Sequence, residues 1–167
     1  MKKAFKLALV FLIITSGTFA QKAKDTETVT PKTKEVEADL PMLTNKKFID
    51  NVWDYSKSKK FKYKGTQPII IDFFATWCVP CKAIHPSLVE LQKEYGGKVT
   101  IYQINVDKEP EITDLFKITN IPALVFMKDS KTMWSIEVGK KSKEEIKALI
   151  DSKFFNVQAP PSANQIQ

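Results

Sequence analysis

The chain has 167 residues, 43% hydrophobic and 27% charged, which fits one globular domain with its own core and excludes collagen-like or wholly disordered classes. Its formal charge is +7, yet all 26 basic residues are lysine, so the guanidinium forks that read base edges and grip phosphates are absent, and no nucleic-acid partner is expected. Removing Lys2, Lys3 and Lys6, which lie in a stretch without acids, leaves +4, an ordinary solubility charge.

Residues 1–20 have a lysine-bearing start, a charge-free run from Leu7 to Ala20, and small residues at Thr18 and Ala20. This is the layout of a secretory signal peptide, with cleavage expected near Ala20/Gln21 and a periplasmic or secreted mature protein. The run of fourteen falls short of the ~20 apolar residues that span hydrocarbon, which disfavours the alternative of an uncleaved anchor. With no cysteine near the cleavage point, a lipoprotein is not expected. Residues 21–42 mix Thr, Lys and Glu with few apolar side chains and read as a flexible linker.

The expected domain spans residues 43–155. Thr44 or Asn45 caps a helix that carries Phe48, Ile49, Val52 and Tyr55 at helical spacing, and Gly65 and Pro68 close the following turn. Ile69-Ile70-Ile71-Asp72-Phe73-Phe74 reads as a strand buried on both faces. A second helix starts at Cys78 or Val79, turns Ile84, Leu88, Leu91 and Tyr95 inward, meets an expected kink at Pro86 and stops at Gly96-Gly97. Val99–Val106 is a second strand, Pro110 opens a short helix, and Ala123–Met127 is a third strand. Asp129-Ser130-Lys131 turns the chain into a strand over Met133–Val138, and a capping box at Ser142 and Glu145 starts a last helix. The tail, 156–167, shows no periodic pattern and is expected to be disordered. The fold class is α/β: a central mixed sheet flanked by helices, ending in a β-hairpin plus helix.

The two cysteines of the chain stand in Trp77-Cys78-Val79-Pro80-Cys81-Lys82, where a buried strand meets a helix. Cys78 at the helix start feels the positive end of the macrodipole, which favours its thiolate and makes it a nucleophile. Cys81, one turn further in, can attack a mixed disulfide formed at Cys78 and release a reduced substrate. Pro80 shapes the turn between them. A purely structural bridge is the first alternative, but so short a loop removes little chain entropy. A metal site is the second, and two cysteines with the one histidine, His85, do not complete a four-ligand zinc centre without exposed carboxylates, so no metal is expected.

The run Asp72 to Lys82 followed by Pro86, then Asn105-Val106-Asp107, Ile121-Pro122 and Val138-Gly139 in that order, resembles the thioredoxin family over about residues 43–153. The sequence Phe61-Lys62-Tyr63-Lys64-Gly65 before the first strand resembles secreted thioredoxins of the Bacteroidetes type. The resemblance implies a thioredoxin fold and protein thiol-disulfide exchange at Cys78 and Cys81. It implies that Asp72 is the buried acid handling the proton of Cys81, and that the Ile121–Pro122 bond is cis and faces the cysteines. Trp77, Ile121, Pro122 and Gly139 would then form the substrate-docking surface, and Val79 and Pro80 would tune the redox potential. Where the family commonly carries a lysine near the buried acid, this chain has Gln103, a hydrogen-bond donor without charge. For His85, seven residues after Cys78, an exposed helix histidine is the preferred reading and a place near the site the alternative. The 36 positions from Pro86 to Pro122 leave no room for the extra strand and helix of the cytochrome-maturation branch.

The expected function is reduction of protein disulfides outside the cytoplasm. A disulfide oxidase or isomerase is the alternative within that chemistry, and a redox-inactive binding module the alternative outside it. Protein disulfides are the expected substrates, a membrane thiol carrier the expected electron donor, and a monomer the expected state. No GxGxxG fingerprint is present, so neither NADPH nor flavin is expected, and no cofactor is assigned.

Overall fold

Three isoleucines, an aspartate and two phenylalanines build the centre of the sheet, β1 (Ile69–Phe74), in the computed structural model, which describes residues 39–157. β-Branched and aromatic side chains suit a strand covered on both faces, and β1 is buried along nearly its whole length. It pairs in parallel with β2 (Thr100–Asn105) and antiparallel with β3 (Ala123–Met127). β3 continues through a hairpin into β4 (Ser135–Val138), giving the order β2-β1-β3-β4. The expected mixed α/β sheet is therefore present.

Because side chains alternate across a strand, β1 divides its residues between two cores. Ile69, Ile71 and Phe73 face Phe48 of α1 (Asn45–Asn51) and Ile112 of α3 (Pro110–Leu115). Ile70 faces Ile84, Leu88 and Leu91 of α2 (Val79–Tyr95) and Ile146, Ile150 and Phe154 of α4 (Lys143–Phe155). Asp72 shares the face of Ile70, which sets a carboxyl beneath α2. Among the described residues no helix is long and apolar enough to cross a membrane.

Helix boundaries follow local chemistry. The Thr44 side chain caps α1, and α4 carries the full Ser142/Glu145 capping box. α2 runs on through Pro86 and ends at Gly96, whose φ of +46° is the left-handed conformation a helix C-cap needs. α1 stops at Asn51 rather than reaching Tyr55. The N–H groups of Val52 and Trp53 both turn back to the Phe48 carbonyl, and Trp53 drops into an aromatic cluster with Phe61 and Trp134. β4 begins at Ser135 rather than Met133, because the Asp129 carboxylate captures the N–H groups of Lys131 and Thr132 and lengthens the turn.

The domain also begins earlier than expected. Leu40, assigned by its sequence to the linker, is buried in the core beneath α2 and α4. Gln103 N–H donates to the Pro41 carbonyl (3.0 Å), and Leu43 N–H donates to the Gln103 carbonyl (2.8 Å). This parallel bridge covers the outer edge of β2, a place where unpaired backbone groups would otherwise meet water. The expected signal segment (1–20), most of the linker (21–38) and most of the tail (158–167) lie outside the described residues.

Candidate active site

β1 ends at Phe74, and the chain turns through Ala75–Trp77 into α2 with Cys78 as its N-cap. The Cys78 sulfur accepts the backbone N–H of Cys81 at 3.2 Å, so it sits where unpaired helix donors and the positive end of the macrodipole favour negative charge. Cys78 and Cys81 are joined as a disulfide with their Cα atoms 5.3 Å apart. Both are nearly covered, so exposure does not distinguish them. Position does: Cys78 lies between the exposed side chains of Trp77 and Val79, and Cys81 lies one turn inside the helix.

The loop before β3 comes up to this pair. Ile121 packs on the cluster formed by Ala75, Cys78 and Cys81, and the Ile121–Pro122 bond is cis. Gly139 N–H donates to the Pro122 carbonyl at 2.9 Å, with φ of +93° at Gly139, so the end of β4 is tied to the same loop. Trp77 is 65% exposed and its indole N–H donates to Asp107 at 2.9 Å. Asp107 is held in turn by its backbone N–H on the Asn105 side chain. Trp77 and Val79 thus leave apolar surface in water beside the cysteine pair, as a docking rim for a partner requires, and Val138 exposes more at the end of β4. The hold of Asp107 on Trp77 was not foreseen from sequence, although its position two residues past the end of β2 was available.

Asp72 is fully buried, and burial pushes its carboxyl up to about 7, against the opposing hydrogen bond from Gln103. Gln103 stands opposite it in the β1–β2 register, and its amide nitrogen donates to Asp72 Oδ2 at 3.2 Å. The second oxygen, Oδ1, is buried with no hydrogen-bond partner. A carboxyl that titrates near neutrality can accept and return a proton at working pH. Replacing Gln103 with lysine brings a cation to the carboxyl and is expected to lower the Asp72 midpoint by about one to three pH units. Carboxyl NMR titration of both proteins reads this, and an unmoved midpoint would mean that the side chain at 103 turns away from the acid.

One assignment from sequence is corrected. His85 is not a free surface histidine: its ring is one-third exposed, Nδ1 lies 3.0 Å from the Gln103 amide nitrogen, and Nε2 lies 3.1 Å from Asp39. The cause is the bridge at residues 41–43, which lays the amino-terminal segment along β2 and brings Asp39 to α2. Asp39 is a second residue missed, since nothing in a lysine- and glutamate-rich stretch singles it out.

Two cysteines able to exchange a disulfide, with an apolar rim beside them and a buried acid under their helix, are the equipment of a dithiol-disulfide oxidoreductase. Comparison with known proteins agrees. The sequence profile of thioredoxin matches residues 44–152. A thioredoxin of Borreliella burgdorferi is 35% identical over 85 residues, covering 51% of this chain and 73% of that protein. A thioredoxin of Buchnera aphidicola subsp. Acyrthosiphon pisum is 34% identical over 109 residues, 65% of this chain and 91% of that protein. The chloroplastic M-type thioredoxin of Spinacia oleracea is 41% identical over 81 residues, 48% of this chain and 45% of that protein. The chain belongs to the thioredoxin family, and its Cys78–Cys81 pair makes it a disulfide oxidoreductase of thioredoxin type.

Proposed function

We propose that this protein is an exported thioredoxin of the Bacteroidetes type that reduces protein disulfides outside the cytoplasm and receives its electrons from a membrane thiol carrier. The observation that carries the reading is the position of the cysteine pair, with Cys78 at the N-terminus of α2 and Ile121 packed against it. The signal-like layout of residues 1–20 supports export. A reductase in that compartment needs reducing equivalents from across the membrane, which supports a thiol carrier as donor.

In this reading Cys78 thiolate attacks a substrate disulfide and releases one substrate thiol. Trp77, Ile121, Pro122 and Gly139 hold the extended substrate segment, with backbone groups at Ile121 available to pair with it. The Cys81 thiol then passes its proton to Asp72 and attacks the Cys78 sulfur, which expels the second substrate thiol and forms the Cys78–Cys81 disulfide. Val79, 73% exposed between the cysteines, and Pro80 set the redox potential.

Two measurements test the direction and the compartment. The reduction potential of the pair is expected near the reductant end of the family range, about −270 mV, and a value near −120 mV would instead assign an oxidase. Amino-terminal sequencing of protein from the exported fraction is expected to start near Gln21. Soluble cytoplasmic protein retaining Met1 would overturn export.

A further inference from the structure

The Asp72–Gln103–His85–Asp39 chain runs from a fully buried carboxyl to an exposed one, and ionisation of Asp72 decides its hydrogen-bond roles. An ionised Asp72 can only accept, so the Gln103 amide must turn its nitrogen toward it. That same nitrogen lies against His85 Nδ1, which must therefore also accept. The ring is then neutral with its proton on Nε2, where it donates to Asp39. Protonating the ring puts a hydrogen on Nδ1, and two donors then face each other. The conflict is relieved when the amide turns over and presents its oxygen. An amide oxygen at this point repels a carboxylate and welcomes a carboxylic acid.

We propose that His85 is a positioning residue for the buried acid: while neutral it holds the Gln103 N–H on Asp72 and keeps the carboxyl ready to accept the Cys81 proton, and when protonated it withdraws that hydrogen bond. The inference rests on the reading of Asp72 as proton acceptor given above. His85 and Asp72 take up protons together, because each protonation favours the same amide orientation. Histidine is the side chain that ordinarily changes charge between pH 5 and 8.

The other groups around the chain fit this role. Cys81, Lys82, His85, Gln103 and Asp39 line one open pocket of about 280 Å³, which gives the ring access to water. Asp39 faces His85 from the amino-terminal segment, and Lys82 stands on the same helix at the rim of the same pocket. β3, on the other side of β1, brings no titratable side chain, since it reads Ala123 to Met127 without a charge. Direct attraction between imidazolium and carboxylate would make the two groups oppose one another's protonation. The amide makes them agree, and this difference in sign is what an experiment can read.

Two variants separate the possibilities. His85→Leu removes the acceptor that holds the amide. His85→Asn places a side-chain oxygen near the position of Nδ1, an acceptor that never titrates. His85 is partly exposed, so both variants are expected to fold, which their melting curves check. In the oxidised protein, carboxyl NMR should show the Asp72 midpoint raised by about one pH unit in His85→Leu, the size of a lost hydrogen bond to a charged group. In His85→Asn it should lie at or below the wild-type value.

Mixing the reduced proteins with a nitrobenzoate disulfide gives a second readout. A first thiolate leaves when Cys78 attacks, and a second leaves when Cys81 resolves. The first phase should be unchanged in both variants. The second should slow about fivefold at pH 7 in His85→Leu, as the ionised fraction of Asp72 falls, and persist at lower pH in His85→Asn than in the wild type. Midpoints that do not move, or an Asn variant that rises with the Leu variant, would overturn the proposal, the latter showing that the lost charge is what matters. A wild type that lacks the second phase but shows the expected midpoints would overturn only the redox reading, because the titration observes Asp72 directly.

Discussion

Replacing Cys78 with serine is expected to abolish insulin disulfide reduction, by at least about three orders of magnitude, with the fold intact. The argument rests on where α2 begins. Cys78 is the N-cap, its sulfur already receives the Cys81 N–H, and a serine oxygen at the same place caps a helix at least as well. Stability is therefore preserved while the nucleophile is lost, since a serine hydroxyl at that position has no general base to activate it. Replacing Cys81 with serine should have a different outcome. The first attack survives and the release step does not, so mixed disulfides with substrate proteins accumulate through Cys78 and can be resolved by non-reducing electrophoresis. Accumulation through Cys81 in the Cys78→Ser variant would reverse the two roles, and equal insulin reduction by the wild type and Cys78→Ser would leave only the scaffold's binding surface to explain the protein.

The features legible in the sequence were those written in local chemistry. The isoleucine run of β1, the capping residues Thr44 and Ser142, the glycine stop at Gly96 and the cysteine pair each act within a few residues, and each is found where it was expected. Features made by contacts distant in sequence were not legible. Leu40 is apolar within a polar stretch, and only the free edge of β2, some sixty residues later, makes that segment part of the sheet. The same docking moves His85 from a surface position into a network, because its partner Asp39 precedes it by 46 residues and carries no mark of its own. The end of α1 depended on Trp53 finding Phe61 and Trp134, another long-range preference that outweighs the helical spacing of Tyr55.

Asp72→Asn is expected to gain stability relative to the wild type as pH rises, and to do so only where the wild-type carboxyl must ionise. In the unfolded chain an aspartate titrates near 4, whereas burial holds Asp72 up at about 7 in the native state. Below pH 4 both states carry the proton and the substitution changes little through titration. Between pH 4 and 7 the native state still holds a proton that the unfolded chain has released, so native stability falls as pH rises. Above pH 7 both are ionised, and the full cost of a charge in the core is present, on the order of 3–4 kcal/mol. Asparagine avoids that cost but adds one of its own. Its oxygen can accept the Gln103 N–H, while its NH2 replaces Oδ1, an atom buried without a partner, at about 1–3 kcal/mol. That penalty is the same at every pH. The difference between variant and wild-type unfolding free energies, measured by urea denaturation of the oxidised proteins from pH 4 to 8, should therefore rise by the full titration cost whatever its starting value. A difference that stays flat would mean that Asp72 titrates alike in both states and is not the buried acid. With the expected slope, and with Cys81 resolution slowed in the same variant, the core would be shown to tolerate a destabilising carboxyl because a proton acceptor is needed beneath the cysteines.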